Sequence, residues 1–319
     1  MLEKLLPEDN RKRKWIAIVI TVLIAGLLTL WGIYGMKQYG IALFILTPLF
    51  IGFCSSLLYG INKEITKSAA IRIGLNTLSA FVLGLLIFAM EGVVCIIMVA
   101  PIAIVMTMAG SLIAYTMTKK NSGHATATII LLIGIIPLTA FVESKQEPDL
   151  THVVTSIEIK ADPKTVWRNV VEFPKLAEPT EFIFKTGIAY PINAKIKGTG
   201  VGAIRHCNFT TGSFVEPITV WDEPRLLKFD VAEQPVPMKE ISFWDIDAPH
   251  LHDYFVSKQG QFKLTALPNG NTLLEGTTWY YHNIKPAFYW EIWSEYIVHK
   301  IHERVLIHIK QNAEREGKI

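Results

Sequence analysis

Residues 69–117 read AAIRIGLNTLSAFVLGLLIFAMEGVVCIIMVAPIAIVMTMAGSLIAYTM, and their only charges are Arg72 and Glu91. A membrane-crossing helix needs roughly 20 apolar residues, because the hydrocarbon core is about 30 Å thick and each residue rises about 1.5 Å. This run is far too long for one crossing. Glu91-Gly92 is the natural turn, so it divides into spans at 69–90 and 92–117. Working outward, 15–36, 39–61 and 125–142 are apolar in the same way. The sequence thus predicts an all-α bundle of five membrane helices over 15–142, preceded by a basic segment at 1–14. Residues 15–36 exceed a signal-peptide core and lack a small-x-small cleavage site, so they read as a retained anchor.

The remainder has a different composition. Residues 1–142 hold 11 Lys/Arg and 5 Asp/Glu, whereas 143–319 hold 20 and 23. The first part is too apolar for a soluble domain, and the second resembles an ordinary one. A disordered chain, a coiled coil and a disulfide scaffold are excluded. The three cysteines, Cys54, Cys95 and Cys207, have neither disulfide-framework nor metal-ligand spacing. No metal or other cofactor is expected. Basic clusters interleaved with aromatics are absent, so nucleic acid is not an expected partner.

Charge orients the bundle. Lys4, Arg11, Lys12, Arg13 and Lys14 precede the first span; Lys63, Lys67 and Arg72 follow the second; Lys119 and Lys120 follow the fourth. The alternate loops carry only Lys37 and Glu91. The positive-inside rule makes the N-terminus cytoplasmic, and five crossings would place everything after residue 142 on the outer side of the cytoplasmic membrane. Asn76, Pro48, Pro101 and Pro137 fall within spans, but no ion-binding or proton-relay cluster accompanies them. The membrane half reads as an anchor rather than a transport path.

A polar linker at 143–150 leads into the second part, 151–319. Val153, Thr155, Ile157 and Ile159 alternate as a half-buried strand does. Asp162-Pro163 is an N-cap followed by proline at the first helical position, with Val166, Trp167 and Val170 at helical spacing. Residues 175–178 suggest a second short turn of helix. Strands are expected at 203–209, 214–221, 226–232, 250–267 and 272–282, the last two joined by the hairpin signal Asn269-Gly270. Residues 233–249 read as a long loop. From Pro286, Trp290, Trp293, Ile297, Ile301 and Val305 mark one face of a long helix.

The stretches IEIKADPKTVW (157–167), GVGAIRHCNF (200–209), VEPITVWDEPRLLKF (215–229) and LTALPNGNTLLEGTTWY (264–280), followed by the terminal helix, resemble the SRPBCC superfamily of START-like, polyketide cyclase/dehydrase-like domains. The resemblance covers 151–315, about half the chain, and leaves out the membrane half. It implies an α+β helix-grip fold, in which a curved antiparallel sheet wraps the long helix around an apolar cavity. It also implies a hydrophobic small molecule or lipid as ligand. Such folds do not fix a reaction.

Candidate contacts follow from chemistry. Arg205 alternates with Ala203, Cys207 and Phe209. If that face looks inward, Arg205 is a buried cation needing a carboxylate, such as Glu216 or Glu275, or an anionic ligand group. The polar run WDIDAPHLHDY (244–254) offers Trp244, His252 and Tyr254 as a cavity rim. On a strand His250 and His252 would share a face, but no third metal ligand is apparent. Trp279 and Tyr281 share one face of their strand and Tyr280 and His282 the other, and one pair is expected on the cavity wall. His299, His302 and His308 on the last helix read as packing residues. The expected role is membrane-anchored binding of a hydrophobic molecule. The alternatives are a cyclase or dehydratase using His252, Arg205 or a cavity tyrosine, and a non-catalytic interaction module.

Overall fold

The computed structural model of the 319-residue chain describes residues 7–119, 125–242 and 244–316. It divides into two compact units: Met1–Glu147 with Ser242–Pro249 and Ile284–Pro286, and Pro148–Ile241 with His250–Asn283 and Ala287–Ile319.

The first unit is helical: α1 (Asn10–Leu30), α2 (Thr47–Gly60), α3 (Lys67–Ile87), α4 (Val93–Lys119) and α5 (Ala125–Glu143). Asp9 caps α1, accepting from the Lys12 amide at 2.7 Å, and Thr66 caps α3. A π-helical turn, Trp31–Gly35, extends α1, and another, Ala42–Leu46, leads into α2. Four helical segments are long and apolar enough to cross a membrane: Asn10–Gly35, Ala42–Gly60, Lys67–Ile87 and Val93–Lys119. This corrects the expected count of five. The described apolar part of α5, Ala127–Glu143, has no more than 17 residues.

Helices α2 and α4 approach through small residues. A Cβ on Gly52 would lie 1.9 Å from the Thr107 carbonyl oxygen, and one on Gly110 would lie 2.1 Å from that of Leu49. Thr107 Oγ1 donates to the Pro48 carbonyl at 3.1 Å, and Ser111 Oγ to that of Gly52 at 3.3 Å. Close packing of small residues and these polar contacts hold the two helices together.

The second unit carries an antiparallel sheet of β1 (Thr151–Ile159), β2 (Pro191–Lys197), β3 (Ile204–Phe209), β4 (Gly212–Asp222), β5 (Leu226–Asp230), β6 (Phe255–Ala266) and β7 (Thr272–His282), in the order β1-β7-β6-β5-β4-β3-β2. The sheet curls against the long C-terminal helix α7 (Ala287–Glu316), with the short α6 (Pro163–Val171) alongside. Asp162 caps α6 through the amides of Lys164 and Thr165. The core joins Ile159, Val166, Trp167, Ile218, Leu227 and Leu274 to Val305, Leu306 and Ile309 of α7.

Three local expectations change. Residues 175–178 are not helical; the extra turn is a 3-10 segment, Phe182–Thr186. A strand at Pro191–Lys197, between the expected strands at 153–159 and 203–209, adds an edge to the sheet beside β3. The expected strand at 250–267 begins only at Phe255, because Pro249–Leu251 is a 3-10 turn and Asp253 sits at φ 61°. A side chain at positive φ breaks the extended path.

Candidate functional site

The period-two alternation of the strands decides what faces α7. β3 presents Arg205, Cys207 and Phe209; β4 presents Phe214 and Glu216; β5 presents Phe229; β6 presents Phe262; and β7 presents Gly276 and Thr278. Val298, Ile301, His302, Val305 and Leu306 close the other side from α7. Together with others that include Phe173, Phe255, Ser257, Gln259, Gln261 and Thr277, they line a cavity of about 130 Å³ between sheet and helix. The bulge between Ser257 and Gln259 shifts the register of β6, and this brings Phe255 and Ser257 onto the same wall as Phe262.

Arg205 is the only cation in this lining, and it is 1% exposed. It stands directly across the ladder from Glu216, and its Nη1 donates to the Glu216 carboxylate. Its Nε donates to the Val171 carbonyl at 3.2 Å. The guanidinium carbon lies 5.5 Å from the ring centres of Phe173 and Phe229 and 5.6 Å from that of Phe262. Ring faces are electron-rich, so this enclosure suits a cation removed from water. Burial pushes the Glu216 carboxyl above its usual range, with Arg205 pulling against it. Burial, reinforced by Glu216, pushes the Cys207 thiol up to about 12, so it stays protonated and a poor nucleophile at neutral pH.

A second polar group reaches the cavity from α7. His302 Nε2 lies 2.7 Å from Thr278 Oγ1, and its Nδ1 lies 3.0 Å from Thr155 Oγ1, which is also 2.8 Å from His299 Nδ1. One hydroxyl hydrogen cannot satisfy both imidazoles, so Thr155 donates to one ring and accepts from the other. Burial, with His299 adding, pushes His302 down to about 4. Below pH 6.5 the unfolded imidazole takes a proton that the folded ring refuses until about pH 4. The stability this contributes is full above pH 6.5 and is lost as pH falls toward 4, by up to about 3 kcal/mol. Melting followed from pH 7.5 to 4.0 is expected to show a steeper decline for the parent chain than for His302→Gln; equal slopes would disprove the assignment.

The structure separates the residues singled out from sequence. Arg205 lines the cavity; Trp244, His252, Tyr254, Trp279 and Tyr281 do not. Trp279 and Tyr281 lie on the sheet's other face, with the Lys228 Nζ 5.2 Å from the Trp279 ring and the Lys258 Nζ 5.3 Å from that of Tyr281. Tyr280, on the inner face, is fully buried and bonds Ser294 Oγ at 2.9 Å. Trp244 is 57% exposed and belongs to the first unit. Tyr254 is buried outside the cavity lining, and its carbonyl accepts from the Asn283 amide at 2.7 Å. His250 is buried 3.7 Å from Glu240, whereas His252 is exposed, so the two histidines do not share a face. The phenylalanines, His302 and Thr278 were not among the expected contacts, although Phe209 shares Arg205's alternation.

Solved structures of low similarity match about half of the chain. Norcoclaurine synthase of Thalictrum flavum matches at 13% identity and a TM-score of 0.36, over 54% of this chain and 99% of that one. The Zhui aromatase/cyclase of Streptomyces sp. R1128 matches at 14% and 0.32, over 53% and 96%. XoxI of Bacillus cereus matches at 16% and 0.33, over 50% and 94%. These neighbours are SRPBCC-like helix-grip proteins, and the likeness extends over half of the chain. No family model and no curated protein matches the sequence.

Proposed function

We propose that the chain is a membrane-anchored binding protein whose C-terminal domain holds a hydrophobic small molecule between sheet and α7. The observation that carries this reading is the cavity itself, about 130 Å³ and walled mainly by phenylalanine and aliphatic side chains. Tightly packed interiors leave few voids larger than a water molecule, and apolar ones of this scale take up apolar guests. The six phenylalanines line this space without filling it. The solved helix-grip neighbours are compatible with the reading.

Native mass spectrometry of the full chain is expected to show a co-purifying small molecule that is lost in Val298→Trp, which places an indole in the cavity. An unliganded parent chain that also takes up no apolar dye would end the proposal. An enzyme of cyclase type is the second reading. The feature that favours it is His302, an uncharged imidazole on the cavity wall. Neither His252 nor a tyrosine is placed to serve it.

The four apolar helices supply the anchor. Four crossings return the chain to the side of its basic N-terminus, so the domain is proposed to be cytoplasmic, anchored at the cytoplasmic membrane. A C-terminal alkaline phosphatase fusion is expected to be inactive. Phosphatase activity would restore the fifth crossing and the outer location.

A further inference from the structure

Three properties of the cavity bear on what it accepts. The first is size. An engineered protein cavity of about 150 Å³ holds one benzene molecule, and this one measures about 130 Å³. A long acyl chain does not fit within it. The second is charge. Arg205 and Glu216 are both on the wall, are 1% and 6% exposed, and are paired with each other. An anionic guest would face Glu216 in a site already balanced, and a cationic guest would face Arg205. Either brings a buried charge without a partner, which a low-dielectric site resists. The third is surface character. Six phenylalanines contribute to the lining, and Phe209–Phe214 at 4.8 Å and Phe229–Phe262 at 6.3 Å are already tilted ring pairs. Such rings offer edges and faces that another ring matches better than an aliphatic group does. Ser257, Thr277 and the Thr278 hydroxyl held by His302 put uncharged polar groups on the wall, to which a guest hydroxyl can bond.

We infer that the guest is a neutral molecule the size of a single aromatic ring, of the phenol or benzyl alcohol class, and not an organic acid or a long-chain lipid. This rests on the cavity-binding reading above and narrows it.

The test is calorimetric titration of the full chain in lipid nanodiscs at pH 7, with empty nanodiscs subtracted. The probes are benzyl alcohol, cyclohexylmethanol, benzoate and palmitate. Benzyl alcohol is expected to bind at least tenfold more tightly than benzoate, which is ionised at this pH, and several-fold more tightly than cyclohexylmethanol. Palmitate is expected not to compete. Val298→Phe and Gly276→Val narrow the cavity from opposite walls. Each, once its melting curve shows it folded, is expected to lower the benzyl alcohol affinity at least tenfold. Tighter binding of benzoate or palmitate would overturn the inference and leave hydrophobic binding standing. Failure of all four probes, together with an empty native mass spectrum, would overturn both.

Discussion

Replacing Glu216 with Gln will destabilise the C-terminal domain by about 3–5 kcal/mol, because it leaves the Arg205 guanidinium charged and buried with no counter-charge. Arg205→Met alone is expected to fall in the same range, since it strands the carboxylate. The double variant, Arg205→Met with Glu216→Leu, is expected to recover most of the loss, because apolar groups of similar volume often replace a buried pair without penalty. For a domain of this size the single variants correspond to a melting shift of roughly 10 °C. The edge-to-face pair Trp167–Trp221, with centroids 5.6 Å apart, gives a fluorescence reporter inside the same domain. The double-mutant cycle isolates the pairwise term. Single variants that melt within a degree of the parent would show that the pair is solvated and that the cavity's charge balance is not what the geometry indicates.

Gly52→Val is expected to have the next largest effect, in the first unit. Its Cβ would enter the space occupied by the Thr107 carbonyl oxygen, a backbone atom that cannot turn aside. Helices α2 and α4 must then separate, and the bonds from Thr107 Oγ1 to the Pro48 carbonyl and from Ser111 Oγ to the Gly52 carbonyl lengthen or break. Overpacking and two weakened hydrogen bonds together amount to about 3 kcal/mol or more. Gly84→Ala is the control, since a Cβ there meets nothing within 4 Å. Size-exclusion chromatography after graded heating of the detergent-solubilised protein is expected to show early loss of the monodisperse peak for Gly52→Val alone. Equal survival of the two variants would contradict the α2–α4 contact.

Much of this architecture was legible in the chain. The alternation from Val153 to Ile159, the Asp162-Pro163 cap and the Asn269-Gly270 turn each encode a local rule, and each appears where that rule puts it. The partner of Arg205 was narrowed to Glu216 or Glu275. The ladder register chose Glu216, leaving Glu275 to meet Lys263 at 3.2 Å. What stayed illegible was phase and reach. A period of two says that Trp279 and Tyr281 share a face, but not which face the helix covers. The wall contributed by Phe173, Phe229 and Phe262 comes from three separate segments, one after α6 and two on the paired strands β5 and β6, and only the tertiary fold gathers them around one guanidinium. The late start of β6 depends on the backbone at Asp253, which residue spacing does not reveal.

The sheet order has a consequence for biosynthesis. β1 pairs with β7, so Thr151 must wait for Tyr280, and no intervening strand offers it a mate. Nearly the whole domain leaves the ribosome before that edge is covered. Contacts so distant along the chain form slowly, and an unsatisfied strand invites wrong partners meanwhile. The nascent chain therefore passes through a prolonged window of vulnerability in which chaperone capture competes with aggregation.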